Sequence, residues 1–321
     1  MPADVDSFTD RILCAAAARR FYLDGIAKSD IAKELGISRF RVARLIEKAL
    51  REGIVRIEFV HPADAVDYEL SAMLKREMGL ANAVVVKDAG LDTDMCIDSM
   101  GRVAAELLCD ISGPDDILGV ASTLATEAMT RHARPFSARA VVQLGGAWPG
   151  VANGQTSVEM VRRIAELTGS PGNAFYAPLV ASDGDAADAL RRQRDYHIVS
   201  ALFPAVTLAI VGLGALREGQ TSLWSILSQE ERLELAESGA VGEICGQTFD
   251  RNGQSVKSGL SHRSIAAGLD QLAKCPNVLC IAFGEQKAGP IAAAIRGGIV
   301  NSLITHATVA RAVLETLSVE A

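Results

Sequence analysis

Apolar side chains recur at helical spacing between residues 8 and 25, where Ile12, Leu13, Ala16, Ala17 and Phe21 share a stripe and Gly25 supplies a stop. The next segment, KSDIAKELGISRFRVARLIEKALREGIVRIEFV, holds two more helical patterns. Ser29 is placed to cap a short helix through Leu35, with Ile31, Ala32 and Leu35 facing inward, and Gly36 suits a left-handed turn. Ser38 then caps a helix from Arg39 to Arg51 that buries Val42, Leu45, Ile46 and Leu50. Arg39, Arg41, Arg44 and Lys48 fall on its open side. Gly53 ends that helix, and IVRIEFV alternates as a short strand does. Two short helices around a tight glycine turn, the second of them basic, spell a helix-turn-helix, and the strand behind them makes it winged-helix-like.

Beyond residue 60 the pattern changes. A helix over Tyr68–Met78 leads into the apolar runs ANAVVVKD, DDILGVA, RAVVQLGG, AVTLAIVGLG, NVLCIAFG and NSLITH, which alternate with helical patterns. Near-continuous apolar strands are buried on both faces, as in a parallel sheet covered by helices. The expected fold class is α/β: a small all-α head over residues 1–60, then a Rossmann-like, mostly parallel α/β domain over residues 61–321. A chain of 321 residues accommodates both.

Charge sharpens the division. Residues 1–60 carry eleven Lys/Arg against nine Asp/Glu, and the remaining 261 carry 21 against 30, so a head of net +2 precedes a body of net −9. An acidic body repels polyanions, which concentrates any nucleic-acid contact in the head. Arg39, Phe40, Arg41 and Arg44 open the second helix, the part that enters a major groove, where arginine pairs with guanine O6 and N7. Ser29 and Ser38 can turn hydroxyls or helix N-terminal amides toward phosphates. By charge alone this run reads as a solvated helix face; the two-helix grammar makes double-stranded DNA the expected partner.

No apolar stretch reaches the roughly 18 residues that span a bilayer, and the acidic opening MPADVDSFTD is unlike a signal peptide, so the cytoplasm is expected and a membrane is not. The six cysteines (14, 96, 109, 245, 275 and 280) form no CxxC pair and read as reduced thiols rather than a metal site. No complete GxGxxG occurs, so neither a dinucleotide nor any other cofactor is expected. Ser122 and Thr123 follow an apolar run and precede a helical one, where they can cap the helix or help it hold a phosphate. Gly145, Gly146, Gly212 and Gly214 fall at strand ends, where open α/β sheets bind ligands, although a simple turn uses the same residues. Gln143, a polar residue closing an apolar strand, is a candidate effector contact, with an ordinary fold role equally open.

The ordered motifs resemble the SorC family of sugar-responsive bacterial transcriptional regulators. DIAKELGISRFRVARLIEKALREGIVRI follows that family's head and exit strand. VVQLGG at 141–146, IVGLG at 210–214, GAVGEICGQTFDRNG at 239–253, IAFGEQK at 281–287 and AAIRGGIVNSLIT at 293–305 follow its body. The resemblance covers essentially the whole chain. It implies an effector domain akin to sugar-phosphate isomerases and coenzyme A transferases, a phosphorylated sugar or polyol as effector, and a homo-oligomer, dimer or tetramer. It assigns phosphate contact to Ser122, Thr123 and Lys287, and sugar hydroxyls to Glu243. Two departures touch the ligand site. The first glycine-rich loop is shortened to GVASTL at 119–124 and lacks the family's Trp, and the acidic residue after the LIT-type strand is replaced by His306, read here as a hydrogen-bonding or ligand-contact residue rather than a metal ligand.

Two rival classes remain in the reading. An isomerase-like enzyme would use Glu243 as base and Lys287 as electrophile, but the isomerases' Asp-Gly-Ala-Asp type loop has no counterpart, since SDGDAADAL at 182–190 sits in a polar helical stretch. A non-enzyme is therefore expected. The other rival class is a binding module that senses a ligand without touching DNA. Within the regulator reading, an unphosphorylated sugar or polyol stays open as effector, favoured by the shortened loop and His306.

Overall fold

The computed structural model describes residues 8–55, 65–88, 91–148 and 156–319, and internal contacts divide the chain into two units, Met1–His61 and Pro62–Ala321. In the first unit, α1 (Phe8–Tyr22), α2 (Lys28–Leu35) and α3 (Arg39–Arg51) enclose Cys14, Ala17, Ala18, Ile31, Val42, Leu45, Ile46 and Ala49. Two predicted stripes are displaced. Ile12 is exposed while Cys14 and Ala18 are buried, because the alanine run of α1 offers little contrast between faces. In α3, Leu50 is exposed and Ala49 is buried, since Ala49 stands seven residues after Val42, two full turns on. Ser38 caps α3 as expected, its hydroxyl accepting from the Arg41 N–H at 3.2 Å. Ser29 does not cap α2: the helix begins at Lys28, Ala27 holds the cap position, and Ser29 falls in the first turn. Gly36 adopts φ 65° and its N–H reaches back to the carbonyls of Ala32 and Lys33, so the turn between α2 and α3 needs the left-handed freedom of glycine. The strand expected in IVRIEFV lies largely outside the described residues.

The second unit opens with α4 (Tyr68–Met78), β1 (Asn82–Val86), α5 (Thr93–Ile111), β2 (Ile117–Val120), α6 (Leu124–His132), β3 (Ala140–Gln143), α7 (Ser157–Thr168) and the two-residue β4 (Gly172–Asn173). It continues through α8 (Gly184–Arg191), α9 (Arg194–Ser200), β5 (Leu208–Val211), β6 (Gly214–Ala215), α10 (Gln229–Glu237), β7 (Ala240–Ile244) and β8 (Gln247–Asp250). The last elements are α11 (Gly259–Arg263), α12 (Leu269–Leu272), β9 (Asn277–Ile281), α13 (Ala288–Arg296), β10 (Ser302–His306) and α14 (Ala307–Val319). Seven strands form one sheet in the order β1-β10-β9-β5-β2-β3-β4, with every neighbouring pair parallel. The six apolar runs are its six principal strands. Alternate side chains serve two cores: Val85, Val142, Ala209, Val211, Cys280 and Leu303 on one face, Val86, Leu118, Val141, Ile210, Leu279 and Ile304 on the other. That double burial is why these strands read as unbroken apolar runs.

A second, antiparallel sheet, β6-β7-β8, was not legible as strands. Its β7–β8 hairpin turns on Cys245 and Gly246, at φ 52° and 76°, the paired positive angles of a type I′ turn. An Asn-Gly pair normally announces such a turn, and Cys in the first position conceals it. No described helix is long and apolar enough to cross a membrane.

Candidate functional site

A cavity of about 550 Å³ opens at the carboxyl ends of β9, β5, β2 and β3, four neighbours in the middle of the parallel sheet. The connections leaving β2 and β5 run toward opposite edges of the sheet, which leaves a crevice between them. Ser122 and Thr123 reach it after β2, Gly145 and Gly146 after β3, Gly212 after β5 and Lys287 after β9. Gly214 on β6 and Glu243 on β7 bring the second sheet to the same wall.

Thr123 caps α6 reciprocally with Thr126. Its Oγ1 accepts from the Thr126 N–H at 3.2 Å, and its own N–H donates to Thr126 Oγ1 at 2.8 Å. Helix geometry leaves the N–H groups of Leu124 and Ala125 without intrahelical acceptors, and both residues line the cavity. The helix end therefore presents positive potential to whatever enters.

Glu243 is held at both oxygens. Oε1 accepts from the Thr221 hydroxyl at 2.8 Å, and Oε2 accepts from the Gly246 N–H at 3.0 Å. Gly214 is needed for that packing, because a Cβ there would strike Glu243 Oε1 and stand 2.7 Å from Thr221. Burial raises the Glu243 carboxyl above its usual range despite these bonds and the Lys287 charge. Burial likewise depresses the Lys287 ammonium, against the opposing pull of Glu243. Lys287 Nζ lies 4.8 Å from the centre of the Phe283 ring. Among the described residues that line the cavity, Lys287 is the only cation and Glu243 the only carboxylate.

The cavity thus gathers Ser122, Thr123, Gly145, Gly146, Gly212, Gly214, Glu243 and Lys287. It does not gather Gln143 or His306. Gln143 is fully buried, its amide donating to the Gly145 carbonyl at 2.9 Å and accepting from the Phe175 N–H at 3.2 Å, so it braces the end of β3 instead of facing a ligand. His306 stands behind the Gly284 loop, where Nε2 accepts the Gly284 N–H. Thr221, Trp148, Leu179 and Cys245 also line the cavity, and the sequence reading did not single them out. Thr221 lies in REGQTSLWS, which has neither helical nor strand periodicity to flag it. Burial pushes the Cys245 thiol up to about 12, so it serves as a neutral wall.

In the helical head, Arg39, Phe40, Arg41 and Arg44 are all exposed, Phe40 to 82%. Ser29 and Ser38 are exposed as well. Lys48 departs from the expectation: it is half-buried and pairs with Glu52 at 3.7 Å.

A parallel α/β domain with a mixed polar and apolar cavity at its strand ends, on a chain that also carries a helical head with a basic, exposed helix, defines a ligand-responsive regulator of transcription. Residues 65–315 match the family described as "Putative sugar-binding domain". Over 310 residues the chain is 33% identical to the transcriptional regulator LsrR of Klebsiella pneumoniae, spanning 95% of this chain and 94% of that one. It is 31% identical over 301 residues to LsrR of Escherichia coli K12, spanning 92% of each. The full-length sorbitol operon regulator SorC from Klebsiella pneumoniae shares the fold, with a TM-score of 0.76, 22% identity, and coverage of 98% of this chain and 100% of that one. The chain belongs to the SorC family of sugar-responsive transcriptional regulators.

Proposed function

We propose that the cavity takes a phosphorylated sugar or polyol, and that its occupancy controls binding of residues 1–60 to operator DNA. The observation that carries this reading is the convergence of the α6 N-terminus, with Ser122 and Thr123, and the single cation Lys287 on one cavity. In a body of net −9, a dianion needs such a local concentration of donors. Glu243, already oriented by Thr221 and Gly246, accepts from the hydroxyls of the carbohydrate. The exposed residues Arg39, Phe40, Arg41 and Arg44 contact bases and phosphates in the major groove, and Ser29 and Ser38 contact the backbone. The protein works in the cytoplasm as a dimer or tetramer, so that two heads occupy two half-sites. The effector acts by binding the DNA-competent and DNA-incompetent arrangements with different affinity. Relatives bear the names of regulators rather than enzymes, which supports a binding role for the cavity.

Calorimetric titration of the parent and Lys287→Ala with a panel of sugar phosphates and their dephosphorylated parents tests the reading. Lys287→Ala should weaken the phosphorylated ligand roughly tenfold or more and leave the free sugar nearly unchanged, because only the former loses a charge-assisted contact. Equal binding of a sugar and its phosphate by the parent would reject the phosphorylated effector.

A further inference from the structure

His306 does not reach the cavity, yet it holds a loop that does. Its Nε2 accepts the Gly284 N–H at 3.3 Å, and its Nδ1 lies 2.8 Å from Oδ2 of Asp88. A ring nitrogen that accepts from a backbone N–H carries no proton, so Nε2 acts as the acceptor here, while Nδ1 faces the Asp88 carboxylate at close range without hydrogen-bond geometry. Asp88 is fixed in its turn, Oδ2 accepting from the Thr308 N–H at 3.1 Å in the first turn of α14. Burial tends to raise the Asp88 carboxyl, but hydrogen bonds from Thr308 outweigh it and hold the group below its usual range. The two side chains are only 13% and 16% exposed.

Gly284 is the pivot on the other side of this contact. It adopts φ 98°, and its carbonyl accepts from the Lys287 N–H at 3.0 Å. Phe283, whose ring lies under the Lys287 ammonium, immediately precedes it. Asp88 follows β1, His306 ends β10 and Gly284 follows β9, three adjacent strands of one sheet. A chain of polar contacts therefore runs across the strand ends and stops at the backbone of Lys287.

We propose that His306, oriented by Asp88, is a positioning residue: it fixes the Gly284 pivot so that Lys287 is presented to the cavity, and it thereby sets the affinity for a phosphate-bearing ligand. The inference rests on the phosphate reading of Lys287. The two ring nitrogens serve different partners, and that makes it separable from simple packing. In His306→Gln the amide oxygen can stand where Nε2 stands and still accept from Gly284. In His306→Asn the shorter amide stands near Nδ1, serves Asp88, and leaves the Gly284 N–H without its acceptor.

The full-length chain is titrated with inorganic phosphate and followed by the amide signals of Ser122, Gly284 and Lys287, with thermal unfolding measured alongside. His306→Asn should weaken phosphate by between about twofold and tenfold and move the Gly284 amide proton upfield, whereas His306→Gln should follow the parent in both. The two variants should melt together, which a purely structural role for the Gly284 bond would not produce. Asp88→Asn, which keeps the ring and removes the charge that orients it, should fall between them. Equal phosphate affinity of the Asn and Gln variants, in a chain that binds phosphate through Lys287, overturns the inference. A parent that does not respond to phosphate, or a Lys287→Ala variant that responds as the parent does, removes the underlying phosphate reading instead, and the inference with it.

Discussion

The two units deploy their charge in opposite directions. In the head, Arg39, Arg41 and Arg44 stand exposed on α3, while Val42, Leu45 and Ile46 of the same helix form its core. In the body, Lys287 and Glu243 turn inward, and burial moves both groups away from their ordinary protonation ranges. An exposed charge needs little support, acts through a potential that salt screens, and can be read as the complement of an apolar stripe. An inward charge has to be held by partners: Gly246 and Gly284 stand three residues from the charges they serve, but Thr221 reaches Glu243 from another element, and Glu243 and Lys287 meet only through the fold. The difference teaches that the head is governed by local pattern and the cavity by topology.

The comparison is broken most strongly at the cores. Phe175 is fully buried and packs edge-on against Tyr196, ring centres 5.2 Å apart, so Phe175→Ala should destabilise the body by about 3–5 kcal/mol. Ile46, in the core of the head, should cost about 2–5 kcal/mol as Ile46→Ala. Both tryptophans, Trp148 and Trp224, belong to the body and report on it alone. Tryptophan fluorescence should therefore register an early transition for Phe175→Ala and an unchanged one for Ile46→Ala, whose loss shows only in circular dichroism. A matching fluorescence shift for Ile46→Ala would mean that the two units do not unfold separately.

The exposed charges give the next effect. Arg44→Ala should weaken operator binding by about 1–3 kcal/mol if the guanidinium reads a guanine, relaxing specificity at one base pair. If it contacts a phosphate, all sequences should weaken alike and the slope of log affinity against log salt should fall by about 1. Ligand affinity of the cavity should stay as in the parent in either case. A parallel loss of both activities would show that the head and the cavity are not separate sites.

How far each unit was legible follows from the same contrast. The three helices of the head, the Gly36 turn and the Ser38 cap are set by residues within a few positions of one another, and they emerged with the buried stripes of α1 and α3 displaced and the α2 cap at Ala27 in place of Ser29. The six main strands were legible because burial on both faces forces unbroken apolar runs. The side sheet was not, since Cys245 conceals its turn and β6 is only two residues long. Gln143 reads as a candidate ligand contact because it is a polar residue closing an apolar strand, and His306 because it replaces the family's acidic residue after the LIT-type strand. The direction in which such a residue turns is decided by neighbours far away in sequence, Phe175 for one and Gly284 for the other.

The inward charge answers to pH. Burial lifts the Glu243 carboxyl, so between its unfolded and folded pKa values the folded chain holds a proton that the unfolded chain has released. The associated stability is complete below the unfolded value near 4.3 and is lost as pH rises through the raised folded value, by at most about 1.4 kcal/mol per pH unit. Glu243→Gln removes this titration. The body transition of the parent should therefore fall relative to that of the variant as pH climbs from about 4 toward neutrality. Parallel pH profiles would show that Glu243 is ordinarily solvated and that the cavity wall is wetter than its packing implies.

The smallest effect separates two serines that look alike in sequence. Ser29 and Ser38 each precede a helical pattern, and both are exposed. Only Ser38 accepts a hydrogen bond from its helix, at the Arg41 N–H, whereas α2 starts from Ala27 without a side-chain cap. Ser38→Ala strips an acceptor from the first turn of α3 and should cost about 1 kcal/mol of head stability. Ser29→Ala removes no such bond and should leave the helical melting curve of the head unchanged. If both serines contact DNA phosphates, both variants should bind operator more weakly, yet only the Ser38 variant should lose stability without DNA. Circular dichroism melts of the two variants, followed by binding measured well below either melting temperature, separate capping from contact. An equal stability loss at Ser29 would mean that α2 begins two residues later in solution, with that serine as its cap.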